Sequence, residues 1–244
     1  MPLVLATQAP GEPEIFASVQ GEGPSAGMPC TFLRLSRCNL ACVWCDTAYT
    51  WHFAGDERPH REGVEFDRKA NQLTLDEEEV AARIAALGQK RLVITGGEPL
   101  LQAPALARLL ELLPDVTVEI ETNGTTKANP SLDIRIDQFN VSPKLAHSGN
   151  PADLALIPER LDAYATEPRA WFKFVIAAPA DLDEVLVLRD RYRFKRDHVF
   201  LMPEGTDSAT LREREQWLAP LCVEHGFRMS DRLHIHLFGD TRGT

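Results

Sequence analysis

Short apolar segments alternate with amphipathic segments along most of this chain of 244 residues. Short apolar runs bounded by turn residues are typical of buried β-strands, and apolar residues spaced three and four apart are typical of helices. Strands that alternate with helices form a parallel sheet through right-handed crossovers, so about six such units predict an α/β fold, as a partial or closed barrel. The predicted strands are residues 31–36, 91–95, 116–121, 134–141, 171–176, 198–202 and 233–238.

Capping residues and turn residues divide the rest of the chain. Thr74 is predicted to start a helix, because its hydroxyl can cap while Glu77 reaches back in a capping box, and Gly88 ends that helix. Residues 53–72 are polar and aperiodic, which indicates an insert. No linker rich in proline, glycine or serine is present, so residues 1–244 are predicted to form one domain. Further helices are predicted at residues 105–113, 181–192 and 208–225.

The charge balance and the cysteine count exclude several classes of function. Lys and Arg number 26 against 36 Asp and Glu, a formal net charge of −10, so nucleic acid is not an expected partner. No stretch of 18 apolar residues occurs and no basic segment precedes residues 3–6, so we expect no membrane partner, no secretory signal and a cytoplasmic location. Four of the 5 cysteines are clustered, which favours a metal site over disulfides.

The cluster contains a triplet, Cys38, Cys42 and Cys45, directly after the first predicted strand. A [4Fe–4S] cluster normally takes one cysteine per iron, so three cysteines leave one iron open to an exogenous group. The alternative is a structural zinc site completed by Cys30 or His52, because zinc takes four ligands of this kind. A zinc-stabilised binding module and an electron carrier are the corresponding non-enzyme functions, although an electron carrier has no use for an open iron.

Polar, turn-rich segments stand at the carboxyl ends of four predicted strands, the edge at which α/β barrels gather active-site groups. Gly96 and Gly97 can let a ligand approach the backbone closely, or they can form a tight strand-to-helix turn. Glu98 could accept a hydrogen bond from an amino group. The four segments are residues 95–99, 121–124, 142–144 and 202–205.

The cysteine triplet, with Trp44 before its last cysteine, resembles the radical S-adenosylmethionine superfamily. Between about residues 14 and 205 the chain also resembles the 7-carboxy-7-deazaguanine synthases. This resemblance implies a partial (β/α)6-type barrel and a carbon–nitrogen lyase that converts 6-carboxy-5,6,7,8-tetrahydropterin to 7-carboxy-7-deazaguanine and ammonia. The alternative is another enzyme of the superfamily, such as a glycyl-radical activase. The matching segments are Gln-Gly-Glu-Gly at 20–23, Cys-Asp-Thr at 45–47, Gly-Gly-Glu-Pro at 96–99, Glu-Thr-Asn-Gly at 121–124, Ser-Pro-Lys at 142–144 and Lys-Phe-Val at 173–175.

The resemblance implies residues for the cofactors. Cys38, Cys42 and Cys45 would hold the [4Fe–4S] cluster, and Thr47 would bind Mg²⁺, with waters and substrate oxygens as the remaining ligands. The positions expected to contact S-adenosylmethionine are Trp44, Asp46, Gly97, Ser142, Pro143, Lys144, Met202, Pro203, Glu204 and Gly205.

It also implies residues for the substrate. Arg34 would bind the substrate carboxylate with both arms of its guanidinium, and Glu22 or Glu121 would accept from the amino-pyrimidinone edge of the pterin. Which of the two carboxylates does so is left open. The positions that match substrate contacts are Val19, Gln20, Gly21, Arg34 and Thr95.

The resemblance further implies an electron donor such as flavodoxin and a homodimer. It does not extend to the insert or to residues 239–244, so any substrate contact from the C-terminus is left open. His234 and His236 would share one face of the last predicted strand, as buried histidines or as ligands. Cys222 is expected in the core, because it lies among leucines of a predicted helix.

Overall fold

The computed structural model describes residues 2–244, which form an eleven-stranded mixed sheet with helices packed on it. The strands, in chain order, are β1 (Leu3–Ala9), β2 (Glu12–Pro13), β3 (Ile15–Val19), β4 (Pro29–Leu35), β5 (Gln72–Leu75), β6 (Arg91–Gly96), β7 (Thr117–Thr122), β8 (Gln138–Val141), β9 (Ala170–Ile176), β10 (Val199–Pro203) and β11 (Arg228–Met229).

The helices follow the strands in alternation through most of the chain. They are α1 (Arg68–Asn71), α2 (Glu77–Leu87), α3 (Ala103–Glu111), α4 (Pro130–Asp133), α5 (Ala152–Ala155), α6 (Pro158–Thr166), α7 (Asp181–Tyr192), α8 (Ser208–His225) and α9 (Leu233–Phe238).

The parallel part of the sheet consists of β4 and then β6 to β11 in chain order. β3 and β1 pair with β4 in the antiparallel sense, and β5 and β2 pair with β1. The strand order runs from β11 to β2 without the two ends pairing, so the sheet is open. This arrangement confirms the predicted α/β fold and the partial barrel.

Side chains of the parallel strands alternate between two environments, as the two-residue period of a strand requires. Leu92 and Ile94 of β6 and Phe172 and Phe174 of β9 are buried in the hydrophobic core that the helices cover. The intervening positions face the concave side of the sheet and are often polar. Lys173 of β9, only 5% exposed, is one of them. The helices therefore supply the core on one face, and the opposite face is left for polar groups.

Most predicted elements are present, and α7 and α8 have the predicted bounds. The prediction missed β1 to β3, which precede the first predicted strand. The predicted helix start at Thr74 is wrong, because Thr74 pairs with Val4 in β5. α2 starts instead at Glu77, where the Asp76 carboxylate accepts from Glu79 N–H, and it ends at Gly88 as predicted.

Two further segments differ from the prediction. The strand predicted at 134–141 begins only at Gln138, because Asn129 caps α4 and Pro130 occupies its first turn. The strand predicted at 233–238 is the helix α9, although its residues alternate between apolar and polar types. His234 and His236 therefore do not share a strand face, and each contacts a different part of the molecule. Cys222 lies in the core, as predicted.

None of the helices within residues 2–244 combines the length and the apolar character that a bilayer span requires.

Candidate active site

A cavity of about 240 Å³ lies at the carboxyl ends of the parallel strands. The structure brings most of the predicted site residues together in its wall. Those in the wall are Gln20, Glu22, Arg34, Cys38, Cys42, Trp44, Cys45, Asp46, Thr47, Thr95, Gly97, Glu121, Ser142, Lys144, Met202 and Glu204. Those outside the wall are Val19, Gly21, Pro143, Pro203 and Gly205.

The cysteine triplet lies in residues 38–45, the cysteine loop, which forms the part of the wall that follows β4. Burial raises the pKa of the Cys38 thiol to about 12 and that of Cys45 to about 11, and it raises the pKa of Cys42 as well. A metal binds the thiolate, so cationic iron would supply the charge that offsets this burial. Side-chain amides also approach two of the sulfurs, from Asn123 to Cys38 at 3.9 Å and from Asn150 to Cys42 at 3.3 Å.

The separation of the sulfurs distinguishes between iron–sulfur and zinc. Within the part of the chain that the structure describes, the triplet is not among the groups whose ligand atoms all lie within 4.8 Å of one another. Thiolates on a single tetrahedral zinc lie about 3.8 Å apart, because each Zn–S bond is about 2.3 Å. Cys30 and His52, the proposed fourth zinc ligands, are not in the cavity wall. The donor set therefore fits a cluster with one cysteine on each of three irons better than it fits zinc.

Gly96 and Gly97 permit a close approach between two segments of the chain itself. A Cβ on Gly96 would lie 2.0 Å from the carbonyl oxygen of Leu35, and one on Gly97 would lie 2.1 Å from that of Arg37. Gly96 and Gly97 thus form a tight turn, and this turn packs the segment after β6 closely against the start of the cysteine loop. Glu98 is fully buried and accepts from the backbone, so it does not face the cavity.

Arg34 projects from the end of β4 into the cavity. Its Nε–H donates to Glu14 at 2.7 Å, and the hydroxyl of Tyr49 donates to the same carboxylate at 2.9 Å. Within residues 2–244 the terminal guanidinium nitrogens have no hydrogen-bond partner, so they are free to bind a planar anion. Sequence reasoning missed Glu14, which is fully buried and holds the guanidinium in place.

The two candidate carboxylates are joined by one buried cation. Lys173 Nζ donates to Glu121 at 2.8 Å and also to Glu22. Burial opposes the charge on each group, but Lys173 and Arg232 hold the pKa of Glu22 well below its usual range, and the two carboxylates raise that of Lys173. Lys173 was a missed site residue, and the signal available in the sequence was a lysine within an otherwise apolar strand.

The C-terminal part of the chain closes one side of the cavity. Arg232 donates to Glu22 at 3.0 Å and to Asp46, and it is 7% exposed. His234 also lies in the wall, together with residues 239–242 and Thr244. No local sequence pattern predicted Arg232 as a site residue, because its partners lie far away in the sequence.

The strip expected to bind S-adenosylmethionine lies beside the cysteine loop. Lys144 Nζ donates to Ser142 Oγ at 2.8 Å and stands 5.6 Å from the centre of the Trp44 ring. Met202 and Glu204 continue the same wall at the end of β10. Arg61 of the polar insert pairs with Glu204 at 2.6 Å, so the insert packs against this side of the site.

Thr47 directly follows the cysteine loop. Its hydroxyl lies 3.6 Å from Cys45 Sγ, a long contact that leaves the oxygen available for a cation. Asp46 accepts a hydrogen bond from Arg232. Burial opposes the charge on Asp46, but this arginine keeps the pKa of Asp46 below its usual value. An oxygen ligand in the same cavity wall as Arg34 could thus hold a hard cation such as Mg²⁺ between protein and an anionic substrate.

The open parallel sheet and the cysteine loop at its carboxyl edge define a radical S-adenosylmethionine protein, and the model of the Radical SAM superfamily matches residues 33–144. Membership of this superfamily implies a [4Fe–4S] cluster and S-adenosylmethionine.

Comparison with curated proteins narrows the assignment. The chain is 38% identical to the 7-carboxy-7-deazaguanine synthase of Pyrobaculum aerophilum over 94% of its length and 95% of that protein. It is 34% identical to that of Halobacterium salinarum, over 95% of this chain and 91% of the relative. The chain belongs to the 7-carboxy-7-deazaguanine synthase family. The activase alternative is not favoured.

A solved structure agrees with this fold. The crystal structure of QueE from Escherichia coli superposes with a TM-score of 0.65 at 24% identity, over 95% of both chains.

Proposed function

We propose that this protein is a lyase that converts 6-carboxy-5,6,7,8-tetrahydropterin to 7-carboxy-7-deazaguanine and ammonia. The observation that carries the proposal is the convergence of three groups of residues on one cavity. These are the cysteine triplet, the arginine with free terminal nitrogens, and a pair of carboxylates joined by Lys173. Together they match a small substrate with a carboxylate at one end and hydrogen-bond donors at the other.

Three thiolates from Cys38, Cys42 and Cys45 would hold the cluster and leave its fourth iron open. When bound, the reduced cluster supplies the electron that cleaves S-adenosylmethionine to methionine and a 5′-deoxyadenosyl radical. The side chains around the cavity then have one task, which is to place the substrate. Trp44, Ser142 and Lys144 offer a ring, a hydroxyl and a cation on the side where the adenosyl and carboxylate groups would lie.

Arg34 would bind the substrate carboxylate through its terminal nitrogens, since Glu14 already accepts from Nε. A Mg²⁺ ion held by the Thr47 hydroxyl would engage the same carboxylate and keep waters as further ligands. Two contacts on one carboxylate restrict both its position and its rotation, so the reacting carbon is held toward the cofactor. A misplacement of about 1 Å can cost on the order of 10²-fold in rate.

Glu22 and Glu121 would accept hydrogen bonds from the amino-pyrimidinone edge. Both accept hydrogen bonds from Lys173, and an ionised carboxylate offers acceptors only, which suits an edge that presents N–H donors. The side-chain amides of Gln20 and Asn140 also donate to Glu121, at 3.3 Å and 3.0 Å, so the position of this carboxylate is restrained by two further hydrogen bonds. We propose that the pair acts together rather than one carboxylate alone.

The proposal includes a reductant such as flavodoxin, a cytoplasmic location and a homodimeric state, which the family resemblance implies. Light scattering of the purified protein measures the oligomeric state. An assay in which flavodoxin and its reductase replace the chemical reductant tests whether flavodoxin can donate the electron.

The first experiment is anaerobic reconstitution followed by iron and sulfide counting and an assay of the pterin substrate. We expect about four irons per chain and formation of 7-carboxy-7-deazaguanine with release of ammonia. Alanine at Cys38, Cys42 or Cys45 should abolish the cluster, whereas Cys222→Ala should retain it. A colourless, zinc-loaded protein that resists reconstitution would show the proposal to be wrong.

The magnesium site is tested separately with Thr47→Ala. We expect the variant to lose most of the rate increase that Mg²⁺ produces, while its affinity for S-adenosylmethionine changes little. Thr74→Ala, at an exposed position in β5, is the matched control. An unchanged response of Thr47→Ala to Mg²⁺ would remove Thr47 from the site.

A further inference from the structure

Residues 145–150, which follow the Ser-Pro-Lys segment, lie directly against the cysteine loop. The backbone N–H of Val43 donates to the carbonyl oxygen of Ser148 at 2.9 Å, and Ser148 is fully buried. A Cβ on Gly149, whose φ is +78°, would lie 2.7 Å from Val43 Cγ1. The two segments therefore pack so closely that position 149 needs both the conformational freedom and the small size of glycine.

Asn150 completes this contact with both ends of its side-chain amide. Oδ1 accepts from the backbone N–H of Ala41 at 2.9 Å, and Nδ2 donates to Cys42 Sγ at 3.3 Å. Nδ2 also lies 3.1 Å from Ser148 Oγ, which keeps the amide from rotating. One side chain, 108 positions away from Cys42, thus restrains the backbone before this cysteine and contacts its sulfur.

We propose that Asn150 is a positioning residue for the iron–sulfur cluster. It orients the Cys42 sulfur toward the cluster and, by donating an N–H to that sulfur, it raises the reduction potential of the cluster. The proposal rests on the cluster that superfamily membership implies and is independent of the identity of the substrate.

The physical reason is electrostatic. Reduction adds one negative charge to the cluster, and part of that charge resides on the cysteine sulfurs. An N–H dipole directed at a sulfur stabilises the reduced state more than the oxidised state, so its loss lowers the potential. The effect should centre on Cys42, because the amide that approaches Cys38 is at 3.9 Å and is shared with Asn39 at 3.0 Å.

The test is a dye-mediated redox titration of the reconstituted protein, followed by electron paramagnetic resonance. Asn150→Asp keeps an acceptor for Ala41 N–H but replaces the donor near Cys42 with a negative charge. Asn150→Ala removes both contacts. Asn129→Ala is the matched control, because Asn129 accepts from a backbone N–H at 2.9 Å as the cap of α4 and lies outside the cavity wall that contains the cysteines.

At the potential where the wild-type cluster is half reduced, we expect Asn150→Asp to lower the reduced-to-oxidised ratio at least about tenfold. For a one-electron couple that change corresponds to about 59 mV. Asn150→Ala should shift the ratio in the same direction by less, and Asn129→Ala should not shift it.

Two other outcomes bear on the proposal. If both Asn150 variants fold with the wild-type circular dichroism spectrum but lose iron, while Asn129→Ala keeps it, the positioning role is supported. If both variants hold the full complement of iron and titrate as the wild type does, or if the control shifts equally, the proposal is overturned. A failure of the pterin assay alone would leave these results intact and would count only against the proposed substrate.

Discussion

A Cβ on Gly21 would lie 2.1 Å from Nδ1 of His234, so α9 packs on the Gln-Gly-Glu-Gly loop only because position 21 carries no side chain. The backbone N–H of Leu233 donates to the carbonyl oxygen of Gly21 at 3.0 Å and fixes the same contact. Gly21 itself does not line the cavity, but His234 does. Gly21 therefore has a packing role, and its contact with the substrate stays a prediction.

Gly21→Ala should displace α9 and open the C-terminal side of the cavity. Forcing a methyl group into a packed contact typically costs about 1–3 kcal/mol, and we expect a loss of this size in the free energy of unfolding together with a higher KM. Urea denaturation measures the first and steady-state kinetics the second. The double variant Gly21→Ala, His234→Ala should recover stability relative to the single variant. If the double variant is no more stable than Gly21→Ala, the close contact with His234 is not the cause.

Lys173→Met should strongly destabilise the protein, because it leaves Glu22 and Glu121 facing each other without their shared cation. Breaking a buried ion pair from one side typically costs about 3–5 kcal/mol. Lys173→Arg should cost less, and Lys90→Met, at an exposed position, should change stability by no more than about 0.5 kcal/mol. Chemical denaturation of the three variants tests this order.

Lys173→Met should also change the pH dependence of substrate binding. In the wild type the pKa of Glu22 is held low, so the carboxylate is ionised throughout the neutral range. Without Lys173 that pKa rises, and the KM of Lys173→Met should increase as the pH falls from about 8 to about 6. A KM that does not vary with pH, in a variant that still folds, would argue against a role for these carboxylates in binding.

Arg34→Lys should separate cofactor chemistry from substrate placement. Lysine keeps the charge but loses the planar, two-pronged guanidinium. We expect the variant to assemble the cluster and bind S-adenosylmethionine, but to form product on the order of 10²-fold more slowly, with more 5′-deoxyadenosine released per product. Arg83→Lys, in an exposed pair with Glu79, is the control. Equal losses of cluster and product in Arg34→Lys would mean that the residue is structural.

Glu98 should make the stability of the protein depend on pH. Burial raises its pKa from 4.5 to about 7, despite hydrogen bonds from Asn123, Leu100 and Thr122. A carboxyl whose pKa is higher in the folded state contributes stability that is present below its unfolded pKa and is lost as the pH rises through its folded pKa. Between pH 5 and 8 this group should lower the free energy of unfolding by about 3 kcal/mol.

Glu98→Gln removes this titration, so its unfolding free energy should vary less between pH 5 and 8 than that of the wild type. Glu111→Gln, at an exposed helix position, should keep the wild-type slope. Urea denaturation at constant ionic strength measures the unfolding free energies of the wild type, Glu98→Gln and Glu111→Gln. Parallel curves for Glu98→Gln and the wild type would show that Glu98 does not titrate in this range.

Much of the fold could be read from local patterns. The pattern of apolar residues located most of the parallel strands as well as α7 and α8, because this signal acts over a few residues. The same reasoning failed at 233–238. An alternating pattern is typical of a strand, but a strand forms only where a neighbouring strand offers hydrogen-bond partners. On that side the sheet ends at β11, which is only two residues long and offers few such partners. There the segment forms a helix that packs on Gly21 instead.

The sequence by itself determined which residues can carry the chemistry. The spacing of the three cysteines, the Gly-Gly-Glu-Pro turn and the family segments are all local, and they are sufficient to indicate an iron–sulfur site at the end of a strand. The tertiary structure decided how these residues are held. Lys173 meets Glu22 across 151 positions and Arg232 meets it across 210. Contacts of that kind depend on how the sheet curves and where the C-terminal helix docks, so no local pattern encodes them.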